Sequence, residues 1–62
     1  MNRQIVSVEV DGKEYFATYV CDGLHVTLLY ENDFADCRVD GINPNDAAKI
    51  LLRNLVSSRL AP

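Results

Sequence analysis

Tryptophan is absent from this 62-residue sequence, and histidine, cysteine, proline and glycine are scarce, with one, two, two and three copies. One imidazole and two thiols fall short of the Cys and His ligands of a typical structural zinc site, and the glycines form no G-x-G-x-x-G or Walker phosphate loop. No apolar run approaches the roughly 20 residues of a membrane span, and residues 1–4 lead into a strand pattern instead of a signal-peptide core. These shortages predict a cytoplasmic protein without a metal ion, a cofactor or a membrane partner.

The charge balance is mildly acidic, with nine Asp and Glu against six Lys and Arg and a net charge of −3. That sign disfavours the phosphate attraction that supplies most nucleic-acid affinity. A hydrophobic share of 48% and a charged share of 24% are typical of a folded chain. We expect one small domain over residues 1–62. A domain of this size buries only about 60% of its unfolded surface, so self-association or a partner would add stability.

Two Asp-Gly pairs, at residues 11–12 and 22–23, lie eleven residues apart between apolar runs. Asp-Gly tolerates the positive φ angles of a type I′ hairpin turn, so the pairs predict an antiparallel meander. Two-residue loops at both pairs predict these opposed residues: Val10 and Lys13, Cys21 and Leu24, and Ala17 and Leu28. One side of the sheet, the core face, then collects Val6, Val8, Val10, Tyr15, Ala17, Tyr19, Cys21, Leu24, Val26, Leu28 and Tyr30.

A fourth strand is predicted at residues 34–40, where Ala35, Cys37 and Val39 alternate with polar residues. A tight turn at residues 32–33 would pair Tyr30 with Ala35 and would place all three apolar residues on the core face. The alternative is a solvated loop, because this stretch is rich in acids: Glu31, Asp33, Asp36 and Asp40.

The hydrophobic period changes after residue 42, where Asn43 and Pro44 form a strong helix start signal with Asp46 in the first turn. The apolar arc of this helix consists of Ala47, Ala48, Leu51, Leu52, Leu55 and Val56, and the pattern frays near residues 58–62.

The sequence therefore predicts an α+β fold, a three- to four-stranded antiparallel meander with one C-terminal helix packed on one face, in the order ββββα. The elements are expected at residues 4–10, 13–21, 24–31, 34–40 and 44–58. Replacement of Leu51 or Leu55 by Ala is expected to cost roughly 2 to 5 kcal/mol of the free energy of unfolding.

The residue types that carry chemistry are few. Cys21 and Cys37 are expected on the core face of different strands, as buried, reduced and non-ligating thiols. His25 is expected on the opposite, outer face, with Asp40 directly across from it. No nucleophile or oxyanion donor accompanies that pair, so we predict no catalytic residues and no enzyme activity.

The outer face gathers four large apolar residues, and we expect them to form an interface: Ile5, Phe16, Val20 and Leu29. The predicted function is a small binding or regulatory module that acts through protein–protein contacts, with another protein or as a homodimer, and no small-molecule substrate is evident. The alternative is a nucleic-acid-binding regulatory domain that uses the sheet face. A weaker alternative is an acidic inhibitor of a basic site on another protein.

Overall fold

The computed structural model describes residues 3–60, which form four strands and one helix. The elements are β1 (Arg3–Val10), β2 (Lys13–Asp22), β3 (His25–Tyr30), β4 (Asp33–Arg38) and α1 (Pro44–Leu60). The strands pair antiparallel in the order β1-β2-β3-β4. The predicted ββββα meander is confirmed, and the alternative of a loop in place of β4 is wrong.

The first hairpin forms as predicted. Asp11 and Gly12 have φ angles of 55° and 79°, which are the two positive values that a type I′ turn requires. Val10 lies opposite Lys13, and the register continues without a bulge to the pair of Arg3 and Val20.

The second and third hairpins differ from the prediction by two residues. Their turns lie at residues 23–24 and 31–32, so Tyr19 lies opposite Leu28, and Leu28 lies opposite Ala35. Gly23, with φ of 63°, takes the first turn position and leaves Asp22 in β2. A slip of two residues returns every side chain to the same face, so alternation alone does not distinguish the two registers.

The slip changes the surroundings of two residues expected in the core. Leu24 lies in the turn and is 54% exposed, although its carbonyl oxygen accepts a 2.7 Å hydrogen bond from the amide of Val39. Cys21, at the end of β2, is also exposed.

The core lies between the sheet and α1. Its buried members are Val6, Val8, Ala17, Tyr19, Val26, Leu28, Tyr30, Val39, Ala47, Ala48, Leu52 and Val56. The predicted helix arc is confirmed, with Leu52 and Val56 at its centre and Leu51 and Leu55 only partly buried beside them.

The two ends of α1 are held by polar contacts. At the start, Asn43 is the N-cap, because its Oδ1 atom accepts a 2.8 Å hydrogen bond from the amide of Asn45. Asn45 Nδ2 lies 3.3 Å from the hydroxyl of Tyr19 on β2. The helix continues to Leu60 instead of fraying near residue 58. Within residues 3–60, no helix has the length and apolarity needed to cross a bilayer.

Truncation at the centre of the helix arc tests this packing. Leu52 is fully buried, so Leu52→Ala should lower the free energy of unfolding by roughly 2 to 5 kcal/mol in urea denaturation. Ile50→Ala is the matched control, because Ile50 is exposed on the same helix and should change stability by less than about 0.5 kcal/mol. Equal losses at the two positions would contradict the helix orientation.

Candidate functional site

The outer face of the sheet is the side that α1 does not cover. The observed register places Ile5, Thr18, Leu29 and Phe34 in one row across all four strands. At strand spacings near 4.8 Å, this row is about 14 Å long. Val20 lies in the next row toward one end of the sheet, and Phe16 lies in the next row toward the other.

The outer patch is defined here as Ile5, Phe16, Val20, Leu29 and Phe34. Its largest exposed fractions are 73% at Ile5, 70% at Phe34 and 59% at Phe16, whereas Val20 is half-buried between its neighbours. The structure therefore brings the four predicted interface residues together on one face. Their role as an interface remains a prediction.

Phe34 is the member that the sequence prediction omitted. On β4 it alternates with Ala35 and Cys37, which are predicted on the core face, so the same period places Phe34 on the outer face. Phe34 lies between Asp33 and Asp36, in a segment whose acidic composition resembles a solvated loop. With Phe34 included, the patch reaches the free edge of β4.

Charged residues occupy both ends of the outer face. At one end, Glu9 and Glu14 lie directly opposite each other on β1 and β2, a destabilising arrangement for like charges. At the other end the face carries Arg3, Asp22, His25, Asp36 and Arg38. Carboxylates therefore outnumber guanidinium groups on the described outer face.

His25 has a carboxylate partner, but it is not the predicted Asp40. The two-residue slip sets His25 opposite Arg38, and its Nε2 atom lies 2.7 Å from Asp36 Oδ2. Both side chains are about half exposed, so solvent screens the pair. Thr27 lies directly opposite Asp36 on the same face of the sheet.

The thiols also depart from the expectation of burial. Both cysteines are free, and Cys21 is exposed with its Sγ atom 3.7 Å from the carbonyl oxygen of Gly23. Cys37 is partly buried against the core. The two lie in one row of the sheet with Val26 between them, so the middle strand separates the sulfur atoms.

Arg59 joins the end of α1 to the turn between β3 and β4. Its guanidinium donates hydrogen bonds to Asp33 at 2.5 and 3.2 Å and to Glu31 at 2.5 Å. These hydrogen bonds to Asp33 and Glu31 raise the pKa of Arg59 above its ordinary value. The guanidinium carbon also lies 5.0 Å from the centre of the Tyr30 ring. This cluster fixes the turn that immediately precedes Phe34.

Among residues 3–60, no three His, Cys, Asp or Glu side chains converge to form a potential metal site. Comparisons of the chain with protein-family models, curated proteins and solved structures give no match. The geometry of the described residues is therefore the basis for a functional proposal.

The difference between the two thiols is measurable. A thiol reagent should label Cys21 rapidly in the native protein and Cys37 more slowly, because only Cys21 is exposed. Time-resolved mass spectrometry of the wild type and Cys21→Ser would show loss of the fast phase in the variant. Equal labelling rates for both thiols would contradict the observed difference in their solvent exposure.

The Arg59 cluster should stabilise the end of the helix. Arg59→Ala removes three hydrogen bonds and the contact with the Tyr30 ring, so we expect a lower Tm and faster amide exchange over the last turn of α1. Arg53→Ala is the control, because Arg53 is exposed six residues earlier on the same helix and makes no salt bridge among the described residues. Unchanged exchange in Arg59→Ala would show that the cluster does not hold the helix end.

Proposed function

We propose that this chain is a small non-enzymatic binding module whose outer patch contacts an apolar surface of a protein partner. The observation that carries the proposal is the row of Ile5, Thr18, Leu29 and Phe34 on the uncovered sheet face, which is apolar at every position except Thr18 and is flanked by Phe16. Monomeric proteins seldom leave large aromatic and aliphatic groups adjacent on one face. Such groups supply much of the binding energy at protein interfaces.

The architecture suits this role because the patch and the core use opposite sides of the same sheet. Val26 and Leu28 point toward α1, whereas Leu29 points away from it. Contact through the outer patch therefore needs no rearrangement of the core. The Arg59 cluster restrains the β3–β4 turn beside Phe34, which lowers the backbone entropy lost when a partner binds at this segment.

Charge argues against a nucleic-acid partner on this face. Glu9 and Glu14 at one end and Asp22 and Asp36 at the other repel phosphates, whereas Arg3 and Arg38 are the guanidinium groups present there. The acidic-inhibitor alternative is also weakened. Arg59 engages Glu31 and Asp33 within the chain, and His25 engages Asp36.

Substitutions at the two exposed aromatic residues test the proposal. We would capture partners from a nuclease-treated lysate of the native host, identify them by mass spectrometry, and measure binding of the purified partner. Phe34→Asp and Phe16→Asp should each raise Kd at least about 30-fold, as expected for an interface anchor worth about 2 kcal/mol or more. Both side chains are exposed, so the circular dichroism spectrum should be unchanged.

Ile50→Asp is the matched control, because Ile50 is also an exposed apolar residue but lies on α1, outside the patch. It should leave Kd unchanged. Equal recovery of the same partner by the wild type and both folded Phe variants would refute the proposal. Micromolar binding of duplex or single-stranded DNA at low salt would favour the nucleic-acid alternative.

A further inference from the structure

Strand β1 forms an edge of the sheet, and its outward backbone groups have no hydrogen-bond partner within residues 3–60. The two-residue turn makes Val10 and Lys13 a hydrogen-bonded pair, so the even-numbered residues of β1 bond to β2. The odd-numbered residues direct both their N–H and C=O groups away from the sheet. These residues are Arg3, Ile5, Ser7 and Glu9.

The two edges of the sheet differ in how they are protected against pairing. Native edge strands are commonly blunted by short length, charged side chains, proline or bulges. β4 has six residues, of which Asp33, Asp36 and Arg38 are charged. β1 has eight residues in an unbroken register, with no proline and no charge between Arg3 and Glu9. The β1 edge is therefore the one open to another strand.

We propose that β1 pairs antiparallel with β1 of a second copy of this chain, with Val6 on the two-fold axis. This register sets Arg3 opposite Glu9 of the partner subunit, and the two-fold axis repeats that contact. It sets Ile5 opposite Ser7 of the partner subunit. All four outward-facing residues then join hydrogen-bonded pairs, which gives about eight new backbone hydrogen bonds.

The charges on β1 favour this register over its neighbours. A shift of the two β1 strands by two residues relative to each other keeps the core faces of the two copies on the same side. It removes both Arg3 to Glu9 contacts and reduces the number of backbone hydrogen bonds between the strands. The Val6 register also brings a guanidinium group to Glu9, which otherwise faces only the like charge of Glu14. Opposite charges at the ends of one edge strand are self-complementary in an antiparallel pair.

The position of α1 is compatible with this pairing. The helix packs on the core face, where it contacts β1 more extensively than any other strand, and it leaves the outward backbone groups of β1 unpaired among the described residues. The pairing builds a sheet of eight strands with both helices on one side, since each copy contributes four strands. It leaves Phe16 and Phe34 uncovered, so this inference does not depend on the function proposed for the outer patch.

A charge exchange isolates the intermolecular contact. Arg3 and Glu9 are six positions apart on one strand, or about 20 Å, which exceeds the range of an exposed interaction at physiological salt. Coupling between them therefore reports contact between copies. In sedimentation equilibrium, Arg3→Glu and Glu9→Arg should each raise the dimer Kd about tenfold, because each creates two like-charge contacts.

The double variant Arg3→Glu with Glu9→Arg should recover the wild-type Kd to within about threefold, since each contact is restored with reversed sign. Phe16→Asp is the outer-face control and should leave the dimer intact. Ser7→Pro removes one outward N–H without touching the ladder to β2, so it should abolish dimerisation while the far-ultraviolet circular dichroism is retained.

A wild-type protein that stays monomeric at millimolar concentration would overturn the inference. A double variant weaker than both single variants would also overturn it, and that test stands even if Ser7→Pro does not fold. Dissociation by Phe16→Asp, with no response to the charge exchange, would place the second copy on the outer patch. That result would refute the β1 pairing while leaving the proposed function of the patch standing.

Discussion

Burial of Leu52 and Val56 in one core with Val26 and Leu28 is the contact on which this small fold depends. All four side chains are almost completely withdrawn from solvent, and they are the largest that are. A four-stranded sheet has two faces, and one helix covers only one of them. The same packing that stabilises the domain therefore leaves the outer patch available. The packing of one helix on one face of the sheet therefore accounts both for the stability of the core and for the exposure of the outer patch.

The polar contacts at the two ends of α1 help to orient the helix on the sheet. Asn43 caps the start of α1, and the side chain of Asn45 lies within hydrogen-bond distance of the Tyr19 hydroxyl on β2. At the other end of the helix, Arg59 donates a hydrogen bond to Asp33, next to the β3–β4 turn. Apolar packing is largely non-directional, so these contacts at the two ends help to select one angle of the helix across the sheet. The surface pairs contribute orientation more than free energy, because solvent screens exposed charges.

Much of the fold could be predicted because local chemistry and hydrophobic period agree. Asp11-Gly12 specifies its turn, Asn43-Pro44 specifies the helix start, and the change of period separates the sheet from the helix. The registers of the second and third hairpins could not be predicted from alternation, since the two candidates differ by two residues and present the same faces. The displaced pairing of His25 and the exposure of Leu24 and Cys21 all follow from that one ambiguity.

Four of the five residues of the outer patch could be predicted from the sequence, but its extension to Phe34 on β4 was not. Period-two alternation places Ile5, Phe16 and Leu29 together whichever register forms. Phe34 obeys the same period, but its acidic surroundings resemble a loop. The Arg59 cluster joins residues 26 and 28 positions apart in sequence, and no local pattern connects them. Such contacts emerge only when the helix has been placed on the sheet.

The order of the elements has a consequence for how the chain is made. All four strands precede α1, so during synthesis the core face of the sheet emerges before the segment that covers it. Until residues 44–60 leave the ribosome, Val26, Leu28 and Tyr30 lack their apolar partners, and both faces of any nascent sheet are exposed. Transiently exposed apolar surface of this kind favours aggregation, and the packing of the seventeen residues of α1 on the sheet removes it from solvent.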